Sequence, residues 1–219
     1  MNKRAAATAI AILLTVSAMV SCSGGNKQSI STSSQTSVVD YPAADETIRR
    51  KYEKVESASE GPLLKLSDVT AGAGETAEVT LSVSGTKGWS MCGIHVTYPK
   101  ELKCVMRNEA ERDVDFKLGS ASAAAQASMS KTWVNNVPKE LEDSGLKSLF
   151  FTEIFSEDGG EDGDIVTFSF TVPMDAKSGT VYPIGMYFLD TDMFQNAAKD
   201  ISMEKYAFEH FQSGSITVK

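Results

Sequence analysis

The segment 163–184, GDIVTFSFTVPMDAKSGTVYPI, constrains the fold of this chain more than any other part of the sequence. Apolar residues occupy every second position from 166 to 172, with Thr and Ser between them. This period of two is typical of a strand with one face in a core and the other face outward. Pro173 ends the hydrogen-bonding pattern, turn-forming residues follow, and the alternation resumes from 182 to 188. The segment therefore predicts two β-strands joined by a turn.

The rest of the chain beyond residue 63 is also a series of short apolar runs separated by turn signals. No stretch of helical periodicity lies between successive strands, which argues against a parallel α/β fold and favours an all-β sandwich. Two longer segments interrupt the pattern: 107–147 exceeds an ordinary loop, and 192–205 is the better candidate for a helix. The expected strands are 64–69, 78–83, 91–98, 102–106, 148–155, 165–172, 181–189, 206–211 and 215–219.

Three fragments resemble the cohesin modules of cellulosome scaffoldins, of the ruminococcal type. They are the V-P-x-D-A-K-x-G-x-x-Y-P-I run at 172–184, AGAGETAEVTLSVSG at 71–85 and GSITVK at 214–219. The resemblance covers residues 62–219. It implies an all-β, nine-stranded jelly-roll β-sandwich with a short helical insertion. It also implies a non-catalytic module that captures dockerin-bearing proteins in a cellulosome-type assembly.

The amino terminus predicts export and attachment to a membrane. Residues 1–21 combine a basic start with an apolar run that is too short for a stable membrane span, as in a secretory signal peptide. The M-V-S-C sequence at 19–22 resembles a bacterial lipobox, which makes Cys22 the predicted lipidation site on the extracellular face of the cell membrane. Plain secretion is the alternative. Residues 22–60, rich in Ser, Thr and charge, are expected to form a flexible tether ahead of a cohesin-like domain at 61–219.

The charge of the chain limits its partners. There are 29 acidic and 21 basic residues, giving a formal net charge of −8. Such a surface repels nucleic acid and anionic lipid. We therefore expect no nucleic-acid partner, and membrane contact through the lipid alone. We also expect a monomer.

Strand alternation identifies the outward residues of two strands. If the apolar residues of 91–98 point inward, His95 and Thr97 point outward. The resemblance implies that this strand and the one beginning at Ile165 are the third and sixth of a cohesin, side by side in the sheet that receives dockerin, with the fifth and eighth strands flanking them. The outward residues of the second strand are then Ile165, Thr167 and Ser169.

The strand 148–155 is apolar on both faces, because Phe150 and Ile154 alternate with Leu149 and Phe151. A strand with one core-facing side does not need this, so the outward pair predicts an exposed apolar patch of the kind that marks a partner surface. Folding of one of the longer segments over this sheet is the alternative. The strand expected at 206–211 is similarly two-sided. The predicted partner-binding residues are His95, Thr97, Phe150, Thr152, Ile154, Ile165, Thr167, Ser169 and Phe208.

The sequence lacks the usual signatures of an enzyme. It has only two histidines and no H-E-x-x-H, G-x-S-x-G, P-loop or C-x-x-C spacing. A carboxylate-only site is the remaining catalytic option, but the acidic clusters lie in turns and spacers. We expect a non-enzyme without cofactors.

Three further features leave alternatives open. The acidic turn 157–164 is either a solvated hairpin tip or an oxygen-rich calcium loop. Cys92 and Cys104 form either a disulfide or two buried thiols. A carbohydrate-binding β-sandwich is the alternative function, although Trp89 and Trp133 offer little platform for stacking sugars, and Trp89 is expected to cap one end of the sandwich.

Overall fold

A computed structural model describes residues 51–123 and 129–219. Fourteen strands and three short helices lie in these ranges. The strands are β1 (Leu63–Leu66), β2 (Asp68–Ala71), β3 (Thr76–Ser84), β4 (Met91–Pro99), β5 (Lys103–Cys104), β6 (Met106–Asn108), β7 (Asp113–Val114), β8 (Phe116–Leu118), β9 (Met129–Asn135), β10 (Leu146–Ile154), β11 (Gly163–Thr171), β12 (Val181–Tyr187), β13 (Met193–Gln195) and β14 (Gly214–Val218). The helices are α1 (Ser120–Ala123), α2 (Lys139–Asp143) and α3 (Ile201–Glu209).

The strands form two sheets. The first has the order β1-β3-β11-β5, and β8 pairs with the same strand β11. The second has the order β2-β14-β12-β4-β10-β9-β7-β6, and β13 pairs with β4. Every pairing is antiparallel except that of β14 with β2. This is the expected all-β jelly-roll sandwich.

The core lies between the two sheets and follows the period-two pattern of the strands. In β3 the buried positions alternate with half-buried or exposed ones, so only one face of that strand meets the core. Phe168 of β11 packs edge-on against Phe151 of β10, and Phe170 lies against Tyr98 of β4. Aromatic pairs from opposite sheets therefore fill the interior, as the alternation of 166–172 predicts.

The expected strand at 206–211 is wrong, because the chain forms helix α3 there. The Asp200 side chain accepts hydrogen bonds from the backbone N–H groups of Ser202 and Met203 and so caps the helix N-terminus. The Ser202 hydroxyl also donates to this carboxylate and is the largest cause of the lowered pKa of Asp200, to which the two backbone bonds contribute further. The helix therefore begins and ends later in the chain than the predicted range 192–205. The first part of that range contains β13, and the helix runs from Ile201 to Glu209.

Residues 51–57 are not part of a free tether. Tyr52 is buried to 2% exposure and its hydroxyl donates a hydrogen bond to Glu204 of α3. Lys51 forms an ion pair of 3.1 Å with the same carboxylate. Burial and the neighbouring Glu204 raise the pKa of the Tyr52 hydroxyl. An aromatic ring with a satisfied polar tip thus fixes this segment to the module, and the tether prediction needs correction over these residues. The predicted signal peptide and Cys22 lie outside the described residues.

Both remaining cysteines are free buried thiols. Cys92 faces the core from β4, and desolvation holds its pKa well above the usual value. Burial raises the pKa of the Cys104 thiol to about 12. Of the two alternatives, a disulfide or two buried thiols, the structure has two buried thiols.

The acidic turn 157–164 uses its carboxylates as hydrogen-bond acceptors. Asp162 accepts from the backbone N–H groups of Gly85 and Thr86, each at 2.9 Å, and Asp158 accepts from that of Ala197 at 2.6 Å. Over residues 51–123 and 129–219 no group of three or more His, Cys, Asp or Glu side chains is placed to hold a metal ion. The turn therefore ties neighbouring loops together.

Within those same ranges, no helix is long and apolar enough to cross a membrane.

Candidate partner-binding face

Four adjacent strands of the second sheet present one continuous outer surface. Their order is β12-β4-β10-β9. The side chains of Cys92, Ile94 and Val96 belong to the core, so the alternate residues of β4 lie on the opposite side of the sheet. We call this side of the four strands the four-strand face. Its outward residues are Trp133 and Asn135 of β9, Phe150, Thr152 and Ile154 of β10, His95 and Thr97 of β4, and Tyr187 of β12.

An aromatic row crosses the centre of the four-strand face. Strand register places Trp133 opposite Phe150, Phe150 opposite His95, and His95 opposite Tyr187. Successive ring centroids are 4.9, 4.6 and 4.8 Å apart. Each contact is a tilted pair at a separation favourable for aromatic rings. Cross-strand pairing thus holds four rings from four strands in fixed positions.

His95 is the polar centre of this row, and it is 2% exposed. Its Nδ1 lies 2.8 Å from Oδ2 of Asp192, and its Nε2 lies 2.7 Å from Nδ2 of Asn135. The Asn135 Oδ1 atom accepts the backbone N–H of Asn136, so its amide nitrogen faces the imidazole. Asn135 therefore donates to Nε2, and the proton on Nδ1 is donated to Asp192. Both ring nitrogens are satisfied, which fixes the orientation of the ring.

The apolar residues around this centre keep part of their surface. Phe150, Ile154 and Trp133 are half-buried, and so is Thr152. The two longer segments do not fold over them as strands: 107–147 adds β9 beside β10, and 192–205 adds β13 beside β4. Both segments thus extend the sheet sideways. Part of 107–147 also folds back over the sheet, because Val137 and Leu141 pack against Tyr187 on its outer side. Phe150 and Ile154 point away from the core, as the alternation predicts, but each is half-buried rather than exposed.

His95 and Thr97 lie on the predicted face but not as free contact residues. Thr97 is 7% exposed and lies opposite Gly185 of β12, where an added Cβ would be 2.9 Å from the Thr97 Oγ1 atom. The close approach of β12 therefore covers Thr97. Thr97 and the enclosed His95 therefore stabilise this face without offering free surface to a partner.

The prediction that β11 lies beside β4 is wrong. Strand β11 belongs to the first sheet, between β3 and β5. Thr167 and Ser169 therefore lie on the opposite side of the sandwich, where Thr167 pairs with the Thr80 hydroxyl at 2.9 Å. A register shift between Asp164 and Val166 interrupts the alternation. Ile165 is consequently buried rather than outward.

Phe208 also does not belong to the four-strand face. It lies on the inner side of α3 with 0% exposure, and its ring stacks on Phe188 at a centroid distance of 3.8 Å. A helix presents residues at intervals of three and four to the core. The alternation of a strand therefore predicted the wrong orientation for Phe208.

Three residues of the site were not assigned to it by the sequence. The sequence places Trp133 in an insertion and Tyr187 in a core strand. No pattern in the sequence marks Asn135 as a site residue. The run Met186, Tyr187, Phe188 is apolar on both faces, which is the same signal that identified Phe150. Burial raises the pKa of the Tyr187 hydroxyl, and the nearby Asp192 adds to this effect.

The two tryptophans do not form a platform for sugars. Trp89 is fully buried at one end of the sandwich, against Phe155 and Phe194. The Trp133 ring is tilted by 52° against Phe150. Coplanar exposed aromatic rings, the usual basis for stacking on sugars, are not made by these two residues.

No protein-family model matches the sequence, and no curated protein matches it either. Solved structures do. The type III cohesin module of the cell-surface anchoring scaffoldin ScaE from Ruminococcus flavefaciens superimposes with a TM-score of 0.60 at 19% identity, covering 84% of this chain and 96% of that one. The sixth cohesin of scaffoldin B from Acetivibrio cellulolyticus, solved with a Cel5 dockerin, gives 0.51 at 16% identity, covering 73% and 99%.

A third similar structure is the OlpA cohesin of Clostridium thermocellum in complex with a dockerin. It gives a TM-score of 0.51 at 15% identity and covers 73% of this chain and 99% of that one. These likenesses define the architecture as a β-sandwich of the cohesin class. The chain described here has the cohesin fold.

Proposed function

We propose that this chain is a non-catalytic module that captures dockerin-bearing proteins on its four-strand face. The observation that carries the proposal is the half-buried apolar group Phe150, Ile154 and Trp133 on the outer side of the second sheet. Apolar side chains that remain partly exposed in a fixed arrangement are typical of partner surfaces. The fold supports the choice of partner, because two similar cohesin structures contain dockerins.

The mechanism is docking of one preformed surface onto another. A standard protein interface buries about 800 Å² per partner and takes most of its energy from a few central anchors. Phe150 and Ile154 are the proposed anchors, with Trp133 beside them, and Thr152 supplies a hydroxyl between the two. His95 acts from below by fixing the ring of Phe150. Because the rings are already ordered, little side-chain entropy is lost on binding.

The location of the module follows from the amino terminus. We infer that Cys22 is lipidated and that the chain is displayed as a monomer on the extracellular face of a bacterial cell membrane. The tether then runs from Cys22 to the segment at Lys51 and Tyr52, which is packed on the module. Such an arrangement would hold dockerin-bearing proteins at the cell surface, in the manner of a cellulosome-type assembly.

The test combines capture with calorimetry. The purified protein is immobilised and exposed to the secreted proteome of the source bacterium, and retained proteins are examined for dockerin sequences. One retained dockerin is then titrated against the wild-type protein, against Phe150→Asp, and against Thr167→Asp as the matched control on the opposite sheet. We expect Phe150→Asp to weaken binding by at least about 2 kcal/mol. The control should bind as the wild type does.

Three results would overturn this proposal. The first is retention of no dockerin protein. The second is retention of the protein on cellulose, xylan or starch without protein partners, which supports the carbohydrate-binding alternative. The third is equal affinity of Phe150→Asp and wild type, which removes the four-strand face as the docking surface. Circular dichroism of both variants checks that each one is folded.

A further inference from the structure

A cleft of about 830 Å³ opens at one end of the sandwich, beside the four-strand face. Its floor is apolar and includes the buried side chains of Leu102, Cys104 and Leu146. Its walls are the turn after β4, the last residues of β9 and the start of β10. The turn is fixed to the residue that precedes β10 by a hydrogen bond of 2.9 Å from the Lys100 N–H to the Gly145 carbonyl. The volume lies within the range of about 300 to 1,000 Å³ that is usual for ligand sites.

The rim of the cleft is basic although the protein as a whole is acidic. Four cationic side chains line it, against two acidic ones, while the whole chain has a net charge of −8. Lys103 forms an ion pair of 3.6 Å with Glu109, but both side chains are 74% exposed, so that pair is weak. The cations are Lys100, Lys103, Arg112 and Lys147, and the acids are Glu101 and Glu142.

Arg112 is held at this rim by its backbone. Its φ angle is 59°, in the left-handed region that residues other than glycine seldom adopt. Two backbone hydrogen bonds fix it there, one from its N–H to the Glu109 carbonyl and one from the Val134 N–H to its own carbonyl. Its guanidinium donates to Oδ1 of Asn136 at 3.3 Å. Local strain of this kind persists where the surrounding structure holds it, and it is enriched at functional sites.

The cleft is continuous with the four-strand face. Asn135 lines the cleft and also donates the hydrogen bond to Nε2 of His95 at the centre of the face. Its neighbour Asn136 lines the cleft as well, and its carbonyl accepts the hydroxyl of Tyr187 from the aromatic row. A partner covering the aromatic row would therefore meet the mouth of the cleft.

The lining favours a peptide over a sugar. Tyr98 is the aromatic residue in the lining, and it is 2% exposed, so it offers no ring on which a sugar can stack. The aliphatic floor and the flexible lysine side chains at the rim together favour a peptide segment that combines carboxylates with aliphatic side chains.

We propose that this cleft binds an acidic peptide segment of the dockerin-bearing partner, adjacent to the anchors on the four-strand face. The inference rests on the proposed function for the identity of the partner. The cleft adds an electrostatic contact to an otherwise apolar interface, and such contacts act mainly on association rate and on partner choice.

The first test uses a defined probe and does not require the natural partner. A fluorescein-labelled peptide of sequence Glu-Glu-Leu-Glu-Glu-Leu-Glu-Glu is titrated with the purified protein at low salt, followed by anisotropy. The rim variant is Lys100→Glu with Lys147→Glu. The matched control is Lys65→Glu with Lys87→Glu, which makes the same change in net charge at exposed lysines outside the cleft. We expect the rim variant to bind about tenfold more weakly and the control to change binding less than about twofold.

The second test uses the captured dockerin protein. Its affinity for the rim variant should fall about tenfold, and the salt dependence of binding should become shallower, while Phe150→Asp weakens binding at every salt concentration. Equal effects of rim and control variants in both tests would overturn the cleft proposal. Tighter, rim-dependent binding of oligogalacturonate than of the peptide would also overturn it, in favour of an acidic polysaccharide.

The two proposals fail in different ways. If no dockerin is captured while the peptide binds at the rim, the proposed function fails and the acidic-peptide site remains. If Phe150→Asp abolishes dockerin binding while the rim variant has no effect on either ligand, the function stands and the cleft proposal is wrong.

Discussion

Asn135 of β9 donates a hydrogen bond of 2.7 Å to Nε2 of His95, two strands away across β10. This bond spans β10, the strand that carries Phe150, so a side-chain contact links β9 directly to β4. It also satisfies an acceptor that is almost fully buried, since the His95 side chain is 3% exposed. The orientation of the His95 ring therefore depends on Asn135 together with Asp192, which accepts the Nδ1 proton.

We expect Asn135→Ala to lower the free energy of unfolding by about 1 to 3 kcal/mol, because it leaves the buried Nε2 of His95 without a donor. Urea unfolding monitored by tryptophan fluorescence measures the change. The neighbouring Asn136→Ala, at an exposed position, is the control and should cost less than about 0.5 kcal/mol. Equal stability of Asn135→Ala and wild type would show that the hydrogen bond is not needed to hold His95.

Trp133→Ala should weaken dockerin binding by about 2 kcal/mol, because it removes the outermost ring of the aromatic row and loosens Phe150. Isothermal titration calorimetry with a purified dockerin measures the change. Met174→Ala is the control, since Met174 is an apolar residue with 84% exposure that lies after β11 of the other sheet. If both variants lose the same affinity, exposed apolar area in general, rather than the aromatic row, accounts for binding.

The burial of Glu153 leads us to expect a specific dependence of stability on pH. It points into the core from β10 with 0% exposure and accepts hydrogen bonds from Ser122 at 2.6 Å and Ser130 at 2.9 Å. Desolvation raises its pKa, and the two hydroxyl groups oppose this only in part. A carboxyl whose pKa is higher in the folded than in the unfolded state stabilises the fold below its unfolded pKa of about 4.3 and loses that contribution as pH rises through the folded value.

Glu153→Gln should therefore be more stable than wild type at pH 7, and the difference should shrink toward pH 4. The measurement is the difference in free energy of urea unfolding between the two proteins at both pH values. Carboxylates with lowered pKa, such as Glu75 at its backbone hydrogen bond from Gly72, lose stability in acid in both proteins and cancel in that difference. A difference that stays constant with pH would contradict a raised pKa at Glu153.

Tyr52→Ala should release the segment that precedes β1. Loss of a fully buried ring costs about 3 to 5 kcal/mol, and here that cost falls mainly on local opening of the segment. Trypsin should then cleave after Lys51 and Lys54 more than about tenfold faster, as followed by mass spectrometry. Tyr182→Ala, at a half-buried position on β12, should leave these cleavage rates unchanged. Equal rates in Tyr52→Ala and wild type would mean that the segment opens freely despite its contacts.

Local sequence predicted the strands well because a strand needs only its own alternation to define a buried face. The alternation at 166–172 and the two-sided character of 148–155 depend on neighbouring residues alone, and they correctly placed Phe168 in the core and Phe150 on the outer surface. The same logic failed at 206–211, because a short run with apolar residues on both sides fits a strand and a buried helix equally well. There the Asp200 cap and the packing of Phe208 on Phe188 determined the outcome.

The alternation of residues within each strand was enough to predict an all-β sandwich in which one strand carries an unusual outer apolar pair. The three-dimensional fold was needed to show which strands lie side by side, and therefore which residues belong to the site. Strand order depends on long-range backbone pairing, which leaves no trace in the period of a single strand. For this reason Thr167 was assigned to the wrong sheet, and the ring of Trp133, separated from His95 by 38 positions in the chain, was not assigned to the face at all.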